Sequence, residues 1–201
     1  MVSEGYVEVG GVRIRYLESG RGTPLVHLPR AGELHLAPAH ELLAGRFRVL
    51  VVELPDGGSS PEALSQATTR LGLERFDLMA ASRGTEAALR LALAEPGRVR
   101  ALVLEAPTAI GPEDRDGDLA GRLPDLAVPT LVLLGTRDDV VPPAMARLYK
   151  ERIPACHLVF VYDAAHAISR DRPEAFAEVV GDFLERHDAF VISRAQTVIH
   201  P

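Results

Sequence analysis

Apolar and polar residues alternate at the start of the chain. Val7 and Val9 flank Glu8 in a first arm, and residues 12–16 alternate in the same way in a second. A period of two is the pattern of a half-buried β-strand, and Gly10-Gly11 between the arms supplies a tight turn. The pattern therefore predicts an antiparallel hairpin in the first twenty residues.

Six later segments are short and almost entirely apolar, as expected of parallel strands that are buried on both faces. These segments are Pro24–Leu28, Arg48–Leu54, Phe76–Ala80, Val99–Leu104, Thr130–Leu134 and His157–Val161. Between them, apolar residues recur at spacings of three and four, which predicts helices. The helical segments are Leu36–Leu43, Pro61–Leu71, Thr85–Ala94, Pro143–Arg152 and Pro173–Arg186. The alternation of strands and helices predicts an α/β fold with a mostly parallel twisted sheet, helices on both faces and the hairpin at one edge.

Two segments lack a clear period. Ala109–Leu126 joins two predicted strands and is rich in acidic residues between Glu113 and Asp118. The C-terminal tail, residues 187–201, is weakly patterned, and within it Phe190–Ile192 is compatible with a short strand. No repeat or linker divides the chain. We therefore expect a single domain over residues 1–201, with its core at about 6–186.

Composition narrows the class of protein. The chain has 201 residues, of which 47% are hydrophobic and 25% charged, values that are ordinary for a globular protein and exclude a disordered one. A net charge of −6 argues against nucleic acid and anionic membranes as partners. Cys156 is the single cysteine, no secretory signal precedes the hairpin, and no apolar run is long enough to span a bilayer. We expect a cytoplasmic protein.

The segment Phe76–Thr85 carries the most informative chemistry. A buried strand runs into small residues, then Ser82, then a helix, with Ala80 and Gly84 at the glycine positions of a G-x-S-x-G turn. Such a turn exposes a serine hydroxyl at the N-terminus of the helix, where N–H groups can stabilise an oxyanion. The alternative is that Ser82 simply caps an ordinary helix, since serine is a favoured N-cap.

Two further polar groups follow predicted strands. Asp138 and Asp139 come just after the strand at 130–134, where a carboxylate can orient a histidine, although solvated charges in a helix-entry loop are the alternative. His166 follows the last buried strand, and a lone histidine in a loop is usually just solvated. The order Ser82, Asp138, His166, each after a different strand, is the chain order of a Ser-Asp-His triad on a parallel sheet.

The sequence resembles the α/β-hydrolase superfamily over about Tyr6–Arg186. Besides the triad segments, residues 46–60 are similar to a strand and its D-x-P-G-x-G-x-S loop, with Glu53 in place of the aspartate, and residues 173–184 resemble the last helix. The family's spacing from strand to acid selects Asp138 over Asp139. The family commonly inserts a lid between the strands matched here by 99–104 and 130–134. Because only 25 residues join these two strands, we expect no cap domain and an open site.

The resemblance also implies an oxyanion hole, formed by the backbone N–H groups of Ala31 and Arg83. Here the sequence departs from the family, because Pro29 and Arg30 stand where a His-Gly pair is expected. Arg30 is expected at the mouth of the site, where it either binds a substrate carboxylate or pairs with a nearby acid.

The resemblance predicts a serine hydrolase that acts on small-molecule carboxylic esters or related acyl compounds. Ser82 would be the nucleophile, His166 the general base and Asp138 the carboxylate that fixes the imidazole tautomer. We expect no cofactor and no metal, because Cys and His do not cluster at ligand spacing. The alternatives are hydrolysis of thioesters or lactones, cleavage of hydroxynitriles, and a non-catalytic binding protein on the same fold. The sequence does not specify the oligomeric state.

Overall fold

The structure is a computed structural model that describes residues 2–55, 60–111, 117–190 and 198–199. Its strands are β1 Ser3–Val9, β2 Val12–Gly20, β3 Pro24–Leu28, β4 Arg48–Glu53, β5 Phe76–Ala81, β6 Val99–Glu105, β7 Thr130–Gly135, β8 Cys156–Val161 and β9 Val198–Ile199. Its helices are α1 Pro38–Leu43, α2 Pro61–Arg70, α3 Gly84–Ala94, α4 Asp118–Arg122, α5 Pro143–Arg152, α6 Ile168–Asp171 and α7 Pro173–Arg186. Short 3₁₀ turns follow α4 and α7, at Leu123–Asp125 and His187–Ala189.

The strands form one sheet in the order β1-β2-β4-β3-β5-β6-β7-β8-β9. β1 pairs antiparallel with β2, and β2 antiparallel with β4, whereas every pair from β4 to β9 is parallel. Gly10 and Gly11 make the hairpin turn with φ of +56° and +80°, angles that only glycine adopts at little cost. The mostly parallel sheet and the N-terminal hairpin are thus confirmed.

Each central strand is buried on both faces, which explains its nearly continuous apolar sequence. In β7, Val132 and Leu134 join one apolar cluster, and Leu131 and Leu133 join the other. The first cluster includes residues of α2, α3, α4 and α5, and the second includes residues of α1, α6 and α7. Helices therefore cover both faces of the sheet, as predicted.

The remaining differences from the sequence-based prediction are small elements. α6 has four residues and β9 has two, too few to give a recognisable period. The short strand considered at Phe190–Ile192, for which fraying was the alternative, falls mostly outside the described residues. Phe190 itself lies in no strand, and its ring packs edge-on against the Phe183 ring at 5.4 Å between centroids. Within the acidic segment, Asp118 begins α4, and residues 112–116 lie outside the described part.

None of the helices in the described part of the chain has the length and apolar character needed to cross a membrane.

The parallel strands bring the loops that carry the candidate site residues to one edge of the sheet. β3, β5, β6, β7 and β8 all run in the same direction, so the loops that follow them meet at the carboxyl edge of the sheet. These loops begin at residues 29, 82, 106, 136 and 162.

Candidate active site

Ser82 lies on a strained turn between β5 and α3. Its φ is +51°, in the left-handed region that non-glycine residues rarely adopt. The turn is fixed from both sides, because the Ser82 N–H donates to the Glu105 carbonyl at 3.0 Å and the Ser82 carbonyl accepts from the Thr85 N–H at 3.2 Å. The N-cap of α3 is Arg83, and no side chain caps this helix. The alternative that Ser82 is a helix cap is therefore wrong.

A glycine after the serine allows the turn to sit close to β3. A Cβ at Gly84 would lie 3.1 Å from Leu28 Cβ and 3.3 Å from the Leu28 carbonyl oxygen, closer than side chains normally approach. Gly84 is thus needed for the contact between the start of α3 and the end of β3. This contact brings the loop after β3, with Ala31, next to the turn that carries Ser82.

The side chains of Ser82, His166 and Asp138 are joined by hydrogen bonds. His166 Nε2 lies 3.1 Å from Ser82 Oγ, and His166 Nδ1 lies 3.0 Å from Asp138 Oδ2. Because a carboxylate only accepts, the proton of neutral His166 belongs on Nδ1, and Nε2 is left to accept the serine proton. The Asp138 side chain is fully buried, whereas Asp139 is exposed to solvent.

Backbone groups hold the Asp138 carboxylate in place. Its Oδ1 accepts hydrogen bonds from the N–H groups of Val140 and Val141, at 2.8 and 2.9 Å. These bonds fix the direction of the second oxygen, which faces His166. The loop after β7 therefore positions Asp138 through contacts that do not involve the histidine.

The loop that carries His166 packs directly onto the end of β7. A Cβ at Gly135 would lie 2.3 Å from the Ala164 carbonyl oxygen and 2.4 Å from that of Ala165, so no larger residue fits there. The Arg137 N–H donates to the Ala164 carbonyl at 2.9 Å, and the Ala165 N–H donates to Asp171 Oδ2 at 2.9 Å. The close packing explains why a glycine ends the apolar run of β7.

The two residues expected to form an oxyanion hole lie on neighbouring loops. Ala31 follows β3 and Arg83 follows Ser82, and both residues are exposed. Ala31 and Arg30 also line a cavity of about 330 Å³ that extends between the loop after β3, the second arm of the hairpin and the end of β4. Ser82, Asp138 and His166 are not among the residues that line this cavity.

Arg30 is more deeply engaged than the sequence suggested. Its Nε and Nη2 donate to Glu33 Oε2 at 3.1 and 2.9 Å, and its Nη1 donates to the His166 carbonyl at 3.1 Å. Only 16% of the side chain is exposed. The acid pairing considered for Arg30 is thus present, and its guanidinium faces the histidine loop. A role in binding a substrate carboxylate stays a prediction.

A set of buried polar residues lies beneath the loops, and sequence reasoning missed it. Glu105, the last residue of β6, is fully buried, and its Oε1 accepts from the Ser169 N–H and Oγ at 2.8 and 3.0 Å. Burial raises the pKa of Glu105, and the nearby Arg30 opposes this rise. The available signal was a charged residue at the end of an otherwise apolar strand.

Two buried histidines complete this set. His40 Nδ1 accepts from the Ala37 N–H at 2.9 Å, so the proton of neutral His40 lies on Nε2, which donates to His27 Nδ1 at 2.6 Å. Burial lowers the pKa of His40 to about 4 and that of His27 well below its usual value. Both rings are therefore neutral at pH 7. Among the described residues, no group of His, Cys, Asp and Glu is arranged to hold a metal ion.

Solved structures identify the fold. An α/β-hydrolase from the metagenome of lagoon sediments of Mar Chica, Morocco, matches with a TM-score of 0.73, over 90% of this chain and 99% of that one, at 24% identity. A carboxylesterase from Bacillus subtilis matches with a TM-score of 0.80, over 92% of each chain, at 17% identity. The chain has the α/β-hydrolase fold. No protein-family model matches the sequence.

A curated relative adds a partial match to this α/β-hydrolase fold. Pimeloyl-[acyl-carrier protein] methyl ester esterase from Aeromonas salmonicida is 39% identical over 69 residues, which are 34% of this chain and 27% of that protein. The matched segment thus spans about a quarter of the relative. On the α/β-hydrolase sheet of this chain, Ser82, Asp138 and His166 follow β5, β7 and β8, in the chain order expected of the fold.

Proposed function

We propose that this chain hydrolyses carboxylic esters or related acyl compounds through an acyl-enzyme on Ser82. The observation that carries the proposal is the hydrogen-bonded series Ser82–His166–Asp138, with separations of 3.1 and 3.0 Å. A nucleophile within reach of a base, with the base oriented by a third group, is the arrangement that acyl transfer requires. The match to the Bacillus carboxylesterase and the partial match to the Aeromonas esterase support ester hydrolysis as the reaction class.

In the proposed reaction, Ser82 Oγ attacks the ester carbonyl carbon as His166 Nε2 takes the hydroxyl proton. Asp138 stabilises the imidazolium that results. His166 then gives this proton to the leaving alkoxide, the bond between carbon and alcohol oxygen breaks, and the acyl group remains on Ser82. A water molecule, deprotonated by His166, attacks the acyl-enzyme in the second half. The carboxylic acid leaves and Ser82 regains its proton.

The oxyanion of each tetrahedral intermediate would be stabilised by the N–H groups of Ala31 and Arg83. Arg83 lies one residue after the nucleophile and directly before α3, whose N-terminal dipole favours negative charge. In related systems, each such donor lowers the free energy of the transition state by about 3–4 kcal/mol. The proposed oxyanion hole uses only backbone N–H groups. Replacement of the family's His-Gly pair by Pro29 and Arg30 therefore removes neither of its two donors.

We also propose that the site works without a cap domain and that the chain acts as a single domain. In the described part of the segment between β6 and β7, the helices are α4, with five residues, and one 3₁₀ turn. Ser82 and His166 are both partly exposed. An open site excludes water poorly, so we expect modest turnover and broad selectivity for small esters.

Hydrolysis of p-nitrophenyl acetate by wild type, Ser82→Ala and Ser60→Ala tests the proposal. Ser82→Ala is expected to lower kcat at least about 10³-fold, since it removes the nucleophile. Ser60 is the matched control: its side chain accepts from the Ala63 N–H at the start of α2, so its loss weakens a helix cap and leaves kcat unchanged. Equal hydrolysis by all three proteins would contradict Ser82 as the nucleophile, and no hydrolysis by wild type would favour the non-catalytic alternative.

The absence of a cap has its own test. Rates are measured for p-nitrophenyl esters of increasing acyl length, below and above their critical micelle concentration. We expect the acetate to be hydrolysed and no rise in rate at the micellar interface. A sharp preference for long acyl chains, or activation by micelles, would contradict the open site.

A further inference from the structure

His166 is held in place at its backbone as well as at its ring. Arg30 Nη1 donates to the His166 carbonyl at 3.1 Å. Three residues later, the N–H and Oγ of Ser169 both donate to Glu105 Oε1. The loop that carries His166 is therefore fixed at the histidine itself and at the first turn of α6.

The two side chains that make these contacts also face each other. Arg30 Nη1 lies 3.8 Å from Glu105 Oε1, and the exposed fractions of the two side chains are 16% and 0%. The backbone of Glu105 has a second contact, because its carbonyl accepts the Ser82 N–H at 3.0 Å. One residue at the end of β6 thus contacts both the turn that carries Ser82 and the segment that follows His166.

We propose that Glu105, paired with Arg30, is a positioning residue that holds His166 Nε2 at hydrogen-bond distance from Ser82. This inference rests on the proposed function of the site. Among the described residues, no hydrogen bond joins the carboxylate to Ser82 Oγ or to the His166 ring. Its contacts with the histidine loop run through Ser169 and Arg30, and its charge also interacts electrostatically with His166. Arg30 would in turn act on His166 through its carbonyl, in addition to any contact with substrate.

Energetics favour positioning over simple stabilisation of the fold. A buried ion pair contributes little to stability, because the cost of desolvating both charges offsets their attraction. Glu105 is fully buried, and this burial raises its pKa because the carboxylate loses its hydration. The same contacts are well suited to fix a catalytic distance, since a displacement of about 1 Å can cost on the order of 10²-fold in rate.

The test compares Glu105→Gln, Arg30→Met and the double variant with Asp77→Asn, by kcat and KM for p-nitrophenyl acetate. Asp77 is the matched control: its side chain is also fully buried, but it lies near the amino end of β5, at the opposite edge of the sheet. We expect each single variant to lose on the order of 10²-fold in kcat with KM unchanged. Asp77→Asn should keep the kcat of wild type.

The double variant separates positioning from general damage. If both residues act through the position of His166, the double variant is no slower than the slower single variant, because the effects are not independent. Losses that multiply in the double variant, or a wild-type kcat in Glu105→Gln, would overturn the proposal. Should the single variants fail to fold, the double variant leaves no unpaired buried charge. Its kcat then decides, with a loss of about 10²-fold expected and wild-type turnover contradictory.

The His166 ring gives a readout that does not depend on hydrolysis. In protein labelled with ¹⁵N at histidine, the Nδ1–H resonance of His166 is compared between wild type, Glu105→Gln and Asp77→Asn. We expect it to shift in Glu105→Gln and to stay in Asp77→Asn, whether or not wild type hydrolyses the ester. An unchanged resonance in both variants would overturn the positioning role, while inactivity of wild type would overturn only the proposed function.

Discussion

Two carboxylates with fully buried side chains lie at opposite edges of the sheet, and their surroundings differ sharply. Asp138 follows β7 at the carboxyl edge, where two backbone N–H groups and the His166 ring contact its oxygens. Asp77 lies near the amino end of β5, and among the described residues neither of its oxygens has a hydrogen-bond partner. Its ionic neighbours, Arg100 Nε and His187 Nε2, are 3.8 and 3.6 Å away.

The pKa of Asp77 reflects this difference. Burial raises it from 3.8 to about 6, and the charge of Arg100 opposes the rise only in part. Burial of a carboxylate therefore does not by itself mark a catalytic group. At the carboxyl edge, two backbone N–H groups hold the Asp138 carboxylate in a fixed direction. At the amino edge, the buried charge of Asp77 lacks such donors and costs stability.

The largest effect is expected when the charge of Asp138, at the carboxyl edge, is removed. Asp138→Asn should lower kcat about 10⁴-fold, because an amide at this place stabilises the wrong tautomer of His166. Asp139→Asn is the control, since this neighbouring side chain faces solvent, and it should leave kcat near that of wild type. A loss at Asp139 equal to or larger than that at Asp138 would contradict the assignment.

Gly135→Ala probes the support of the same edge. The added Cβ would fall within 2.4 Å of two carbonyl oxygens in the loop before His166, so this loop must move. We expect kcat to fall on the order of 10²-fold, since the histidine moves away from Ser82. Gly97→Ala is the control because a Cβ there meets nothing within 4 Å. Full activity in Gly135→Ala would show that the loop is not held as described.

At the amino edge, Asp77→Asn should change stability and not rate. Because the folded pKa of about 6 exceeds the unfolded 3.8, the folded state binds more protons between these values. The contribution of Asp77 to the free energy of unfolding therefore falls as the pH rises from about 4 to about 6. Asp77→Asn should flatten this fall and gain about 2–3 kcal/mol at pH 7, measured by urea unfolding at several pH values. A steeper fall in the variant would contradict the account.

The amino-acid sequence indicated much of this architecture because its signals are local. The long apolar runs and the helices with a clear period of three to four all appear in the structure within two residues of their predicted ends. Ser82, Asp138 and His166 could be proposed because each directly follows a strand, and the ends of parallel strands meet. Of the two adjacent aspartates, the family's spacing selected Asp138 over Asp139. The structure places Asp138 within hydrogen-bond distance of His166.

What the sequence did not indicate depends on contacts between distant segments. Glu105 and Ser169 are 64 residues apart, and Arg30 contacts a carbonyl 136 residues away. In the sequence, Glu105 is the polar residue at the end of an apolar strand. No neighbouring residue indicates that Ser169 of α6 donates hydrogen bonds to it. His27 likewise sits inside an apolar run, and its partner His40 lies in a six-residue helix. Such buried polar pairs become visible only once the sheet brings their strands together.

The central claim is that Ser82 is the nucleophile, and active-site labelling tests it most directly. Wild type and Ser82→Ala are treated with a fluorophosphonate, and the modified peptide is mapped by mass spectrometry. The account predicts one phosphonylated residue in wild type, Ser82, and no label in Ser82→Ala. Equal labelling of both proteins, or modification at any other serine, would contradict it.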